Sequence, residues 1–307
     1  MKVKLFTVVT TICAVLMFSS CENNNDDNRT EILSKKLSAE LKEFNQNYQY
    51  QPGQIYTERR SWWNTIGQVC AIALGDGSGA AAGVAGVQLV AGVVGAATAG
   101  TGYAVVATIG GIVGGIGGSY GAYCGTGGNC RQGNFNTVNP TGTSVVYNLP
   151  NGFEYINNFG ELHNNGLQNI HFLGDASITE LEWISNNINN LESTDYKKLY
   201  NSSEFKNLIT DIKTVNYNYK NNNYDVKLLL SDYKSKGLMN ETVSSVFSNY
   251  SDAISKAEGF NDVRDITDFY VTKISESSLN TKDKEAILAG LAVSIQSFYF
   301  WLNFEIE

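Results

Sequence analysis

Hydrophobic and polar positions divide the chain into blocks of different character. An uncharged, mostly apolar run covers Leu5 to Phe18 behind two lysines, Lys2 and Lys4, and a polar stretch, Glu22 to Asn28, follows Cys21. From Gly77 to Cys130 there is no charged side chain, and Gly, Ala and Val dominate. Beyond residue 160 the apolar residues recur at helical spacing. Leu181, Ile184, Ile188 and Leu191 form one stripe, opened by the capping-box pattern Ser177-Ile-Thr-Glu180. Phe205, Leu208, Ile209, Ile212, Val215 and Tyr219 form a second, and Val243, Val246, Phe247, Tyr250 and Ile254 a third with Asn240 as candidate cap. Ile266, Phe269, Tyr270 and Ile274 follow, then the strongest stripe, Ile287, Leu288, Leu291, Ile295, Phe298 and Leu302. All three prolines, Pro52, Pro140 and Pro150, lie in the first half, so no helix breaker interrupts this series.

The expected fold is mostly α: a glycine-zipper helical hairpin, an irregular or hairpin linker, and an up-down helical bundle. The divisions are a lipoprotein signal peptide at 1–20, a polar tether and short helix at 21–59, the zipper hairpin at 60–130, the linker at 131–159 and the bundle at 160–307. In the linker, 144–148 and 153–156 flank Leu-Pro-Asn-Gly and suit a short β-hairpin.

Inside the uncharged segment, glycines repeat every four residues: Gly75, Gly79 and Gly83, then Gly110, Gly114 and Gly118. On a helix this spacing leaves a groove into which another backbone fits closely. Each Gly costs about 1 kcal/mol relative to Ala in a helix, so these helices need packing partners or lipid. Helices at about 78–99 and 103–123, joined at Gly100-Thr-Gly102, are each long enough to cross a bilayer. The hairpin packs internally or enters a membrane; a disordered tract and a strand-rich arrangement are the other readings. Self-association through the zipper is a further expectation.

The N-terminus suggests an address. Two lysines, an apolar run shorter than the roughly 20 residues of a spanning helix, and Ser19-Ser20-Cys21 form a lipoprotein signal in which Cys21 becomes acylated. Several acyl chains at about 0.8 kcal/mol per buried CH₂ anchor a protein stably. Phe18 stands where a smaller aliphatic residue is usual, and the alternative is a secretory signal cleaved elsewhere with Cys21 an ordinary thiol. The cysteine followed by acidic residues Glu22, Asp26 and Asp27 resembles outer-membrane lipoproteins of Bacteroidota. That resemblance implies lipid anchoring in the cell envelope at the outer membrane, facing the periplasm or the surface.

Two further resemblances point the same way. Gly160-x-x-His163-Asn164-x-x-Leu167 and the ending Leu291 to Trp301 are similar to the helical region of uncharacterised Bacteroidota lipoproteins, over roughly 153–307. The run Ile72 to Ala80 resembles glycine-zipper segments of that group and of double-glycine bacteriocins and contact toxins, some of which permeabilise membranes.

Charge and candidate chemistry narrow the functions. Without the two signal lysines there are 20 basic side chains against 30 acidic, a net charge near −10, which disfavours nucleic acid and anionic headgroups as partners. Cys124 and Cys130 could close a Gly-rich loop as a disulfide in an oxidising envelope, and Cys70 could pair with either. The only histidines, His163 and His171, lie eight apart and point about 80° away from each other on a helix. Glu161, His163 and Asp175 make at most a partial metal site. His163 and Asn164 are expected to hydrogen-bond a helix start or a neighbouring loop. Asp262 and Asp265 read as solvated helix positions, and no nucleophile elbow, paired-histidine zinc motif or phosphate loop is present. The expectation is therefore a non-enzymatic envelope lipoprotein with no cofactor and no metal. The alternatives are a membrane-permeabilising antagonist or toxin-like protein, and an envelope enzyme using His163.

Overall fold

The computed structural model describes residues 23–50, 62–94, 110–112, 114–115, 149–167, 199, 201–221 and 224–302. Among them the chain is a helical bundle with no strand. Its elements are α1 (Asn23–Asn47), α2 (Trp62–Val94), a 3₁₀ turn (Glu154–Asn158), α3 (Phe159–Leu167), α4 (Ser203–Asn221), α5 (Val226–Ser235), α6 (Glu241–Ile254), α7 (Phe260–Glu276) and α8 (Thr281–Leu302).

The outer helices follow from amphipathic patterning. In α6, Val243, Val246, Phe247, Tyr250 and Ile254 are buried, and the Asn240 side chain caps the helix by accepting from the Val243 amide at 2.9 Å. Asp225 caps α5 in the same way, taking the Lys227 and Leu228 amides. The stripe of Leu229, Leu230 and Tyr233 that buries α5 completes the series between α4 and α6. Two helices differ. α2 and α8 are apolar nearly all round and buried nearly all round, which is the signature of central helices. They form the most extensively packed pair in the bundle. Gly77 lies against Gly290, Asp76 against Ser297, and Gln88 against Glu285, so α2 and α8 run antiparallel.

Glycine sets the distance between them. A Cβ on Gly77 would stand 2.7 Å from the Gly290 carbonyl oxygen, and one on Gly290 would stand 2.5 Å from the Gly77 oxygen. On another side of α2, Gly79 packs on the backbone of Gly114 and Gly83 on that of Gly110, again antiparallel. The zipper glycines thus join backbone to backbone inside the molecule. α2 contains seven glycines, which alone in water would cost on the order of 7 kcal/mol relative to alanine. Its helical state therefore depends on these neighbours.

Several boundaries differ from expectation. α2 starts at Trp62, well before residue 78, because Asp76 is held within the bundle and does not end the apolar segment. The zipper is not a module apart from the bundle: Leu37, Ala80, Ile112, Phe247 and Trp301 belong to one core. Residues 23–28, expected as tether, are the start of α1. The Pro150–Phe153 turn forms, with Gly152 at φ +94, but leads into a 3₁₀ turn where a strand was expected. Ile156 and Phe159 drive that outcome by inserting into the core from one side of a helical segment. The Leu181–Leu191 stripe lies outside the described residues, as does the hairpin turn at 100–102.

Gly83→Val should destabilise the protein by about 3 kcal/mol, the upper end for overpacking, because the obstacle is backbone and cannot rotate away. Gly67→Ala, where nothing lies within 4 Å, should instead stabilise by about 0.5–1 kcal/mol. Urea unfolding of the two variants reads both signs.

Candidate functional site

The polar residues of the central helices gather in two buried groups. The first centres on Asp76, which is fully buried in α2. The Ser297 hydroxyl of α8 donates to its Oδ2, and His163 of α3 brings Nε2 to 3.7 Å from the same oxygen, with both side chains of that pair fully buried. The Asn164 amide nitrogen donates to the Gln296 carbonyl at 3.0 Å, so its oxygen faces His163 Nδ1, also at 3.0 Å. Glycine makes room for this group: a Cβ on Gly115 would stand 2.6 Å from His163 Cδ2. On the far side of the zipper, Tyr233 donates to Asn216 at 2.5 Å, and Asn216 donates to the Gly114 carbonyl at 3.3 Å.

The second group centres on Glu285 in α8, also fully buried. It accepts from Gln88 at 2.6 Å and from the Tyr155 hydroxyl. Nearby, Asp283 accepts from Asn240 at 2.7 Å and Asn280 at 2.8 Å, tying the heads of α6 and α8 together.

The order Ser297–Asp76–His163 decides what the first group can do. A nucleophilic serine needs an imidazole beside its hydroxyl and a carboxylate behind the imidazole. Here the carboxylate lies in the middle and accepts the hydrogen bond of the serine hydroxyl, so no imidazole stands beside Ser297 to activate it. All three groups are sealed from solvent. Burial holds the His163 imidazole neutral and pulls its pKa down to about 4, against hydrogen bonds to Asn164 and to the Gly115 backbone that favour the charged form. The arrangement is a tie between α2, α3 and α8.

His163 and Asn164 thus meet within a helix and clamp α8, where a helix start or loop had been expected. Gly75, Gly79, Gly83, Gly110 and Gly114 lie at close helix contacts. Gly118, Cys21, Cys124, Cys130, His171 and Asp175 lie outside the described residues. Cys70 is not in a disulfide. Its thiol is buried, donates to the Ile254 carbonyl at 3.3 Å, and is pushed up to about 12 by burial, which makes it unreactive. Asp262 is not a solvated position: it is 1 % exposed and accepts from Tyr48 and the Glu258 amide, while Asp265 pairs with Arg264. No group of three His, Cys, Asp or Glu side chains converges as for a metal among the described residues.

Sequence reading passed over Asp76, Ser297, Gln88 and Glu285. A lone carboxylate inside an otherwise apolar helix was the available signal for Asp76, whereas Glu285 follows Lys282, Asp283 and Lys284 ahead of the strongest stripe and carried no such signal. On the surface, a shallow cleft of about 240 Å³ between α1, α5 and α6 is lined by Lys42, Lys227, Lys234, Ser231 and Ser248. It is smaller and more polar than ordinary ligand pockets. No family model, curated protein or solved structure matches the chain.

The neutral, buried His163 makes stability pH-dependent. Its folded pKa lies below the unfolded value, so the unfolded state takes up the proton first and stability falls as pH drops below 6.5, levelling near 4. Asp76 faces the imidazole from α2, and Glu161 lies on the same helix. Across that window the wild type should lose on the order of 3 kcal/mol more than His163→Gln. Equal acid sensitivity of the two proteins in urea titrations would refute the assignment.

Proposed function

We propose that this protein is a non-enzymatic lipoprotein of the cell envelope, tethered through an acylated Cys21, in which the glycine zipper serves helix packing in a bundle held at a membrane. The observation that carries the reading is the enclosure of the zipper. An 18-residue window of α2 within Gly67–Gly92 has mean hydropathy 1.3, yet 89 % of it is buried inside the molecule. A lipid-anchored protein has no need of this segment for localisation, and its glycines are engaged with Gly110, Gly114 and Gly290. The polar groups of the centre serve the same contacts: Asp76, His163 and Glu285 are closed off from substrate and bonded across helices. The outer membrane, with the bundle facing the periplasm or the surface, is the address that the residues around Cys21 suggest.

A second reading is favoured by one feature. The two central helices, Gly67–Gly92 and Thr281–Leu302, are each long and apolar enough to cross a bilayer, and amphipathic helices surround them. A membrane-permeabilising protein could release such a pair into lipid. Against it stand Asp76, Gln88 and Glu285, which the bundle bonds internally. A carboxylate at the centre of a membrane helix costs about 3 kcal/mol even by the mildest measure.

Cells fed tritiated palmitate should label the wild-type protein and not Cys21→Ser, and globomycin should leave the precursor uncleaved. An unlabelled wild type sinks the anchor. Purified protein without lipid should leave dye-loaded liposomes intact at micromolar concentration. Dye release that Gly114→Leu abolishes would put the second reading in place of the first.

A further inference from the structure

The direction of α1 fixes how the bundle stands relative to its anchor. α1 begins at Asn23, two residues after Cys21. Its second half is clamped to the bundle. Leu37 and Leu41 are buried, Phe44 stacks on Phe269 at 3.7 Å, and Asn45 donates to the Asn249 carbonyl at 2.8 Å while accepting from Tyr270 at 3.0 Å. Ser38 meets Ser245 and Asn249, Asn45 meets Asn249, and Tyr50 beyond the helix end meets Ala253. α1 therefore runs parallel to α6.

That order defines two poles. The head of α6 is bonded to the head of α8 through Asn240 and Asp283, and Gln88 near the end of α2 donates to the Lys282 carbonyl. One pole thus carries the starts of α6 and α8, the end of α2 with the 58 %-exposed Leu89, and the turn at Lys236. The opposite pole carries the end of α6 and the start of α7, where Tyr48 meets Asp262. α8, with 22 residues, sets the poles roughly 33 Å apart. Ser38 is level with Ser245, four residues into α6, so about ten residues of α1 run past the first pole, on the order of 15 Å.

We propose that α1 is a rigid strut that turns the pole bearing Leu89, Lys236 and Lys282 towards a lipid surface and holds it a short, fixed distance away. This rests on the reading of Cys21 as acylated. A single residue, Glu22, between the acylated cysteine and the first helical turn leaves too little slack for the bundle to tumble. A flexible tether of the same length would let every face approach the membrane. The helix permits one.

The test uses the acylated full chain in vesicles with an acceptor dye in the lipid. A donor is attached through an encoded azide at Lys282 or at Lys256, both exposed and on opposite poles. Energy transfer should be several-fold faster from Lys282, and inserting Gly-Pro-Gly after Thr30 should erase the difference. Equal rates in the uninterrupted chain, or faster transfer from Lys256, overturn the proposal. A second arm needs no lipid: spin labels at Asn28 and Lys282 in detergent should give one narrow distance, and a broad distribution overturns the strut. Failure of the wild type to float with vesicles would sink acylation alone, and the spin labels would still decide the strut.

Discussion

Direct backbone contact across glycine is the constraint from which the rest of this bundle follows. Where Gly79 meets Gly114, Gly83 meets Gly110 and Gly77 meets Gly290, no side chain separates the helices. Such approach brings Cα–H groups against carbonyl oxygens and maximises dispersion contact, each term small and the sum large. It also has a strict condition. A glycine-rich helix is unfavourable until both flanks are covered, so α2 gains its stability only with α8 on one side and the 110–115 segment on another. The amphipathic helices then have a defined surface to cover, and their apolar stripes match it.

Close approach creates a second problem, which the polar residues answer. Smooth glycine faces slide past one another, because a shift along the groove exchanges one small residue for the next. Hydrogen bonds between fixed partners do not tolerate such a shift. Asp76 with Ser297, Gln88 with Glu285, and Asn164 with the Gln296 carbonyl each tie one position of α2 or α3 to one position of α8. Buried polar groups cost free energy when unmatched, so a slipped register leaves several of them exposed to that cost at once. Glycine gives nearness, and the polar ties give register. Gly115 links the two, since the space that it leaves is where the His163 ring sits.

How far this was legible in the sequence depended on whether the signal was periodic. The stripes over 205–219, 243–254, 266–274 and 287–302 appear as helices, and Asn240 caps α6, because amphipathic period and cap chemistry are local properties. The four-residue glycine spacing was equally readable, but not which helices it would join, since pairing is a tertiary property. Gly77, which meets α8, lies off that repeat altogether. α5 escaped notice because its stripe is only ten residues long. Charge misled twice. Asp76 looked like the edge of the apolar segment and Asp262 like a solvated position, yet both are buried and bonded. A carboxylate announces burial only through its partners, and those lie more than 200 residues away in Ser297 and Tyr48.

The same partners bear on whether the central helices belong in water or lipid. Length and hydropathy allow α2 and α8 to span a bilayer, but those measures ignore what the polar side chains need. In the bundle Glu285 has Gln88 from α2 and Tyr155 from the 3₁₀ turn, Asp76 has Ser297 from α8, and the Gln296 carbonyl of α8 has Asn164 from α3. If α2 and α8 moved into lipid as a pair, the Gln88–Glu285 and Asp76–Ser297 bonds would travel with them. The hydrogen bonds from Tyr155 and Asn164 would be left behind with the outer helices, in a medium where an unmet polar group costs several kcal/mol. The outer contacts therefore favour the enclosed state specifically, beyond what apolar burial contributes. It is these two residues outside the central pair, and not the hydropathy of the pair itself, that mark the zipper as the core of a folded bundle.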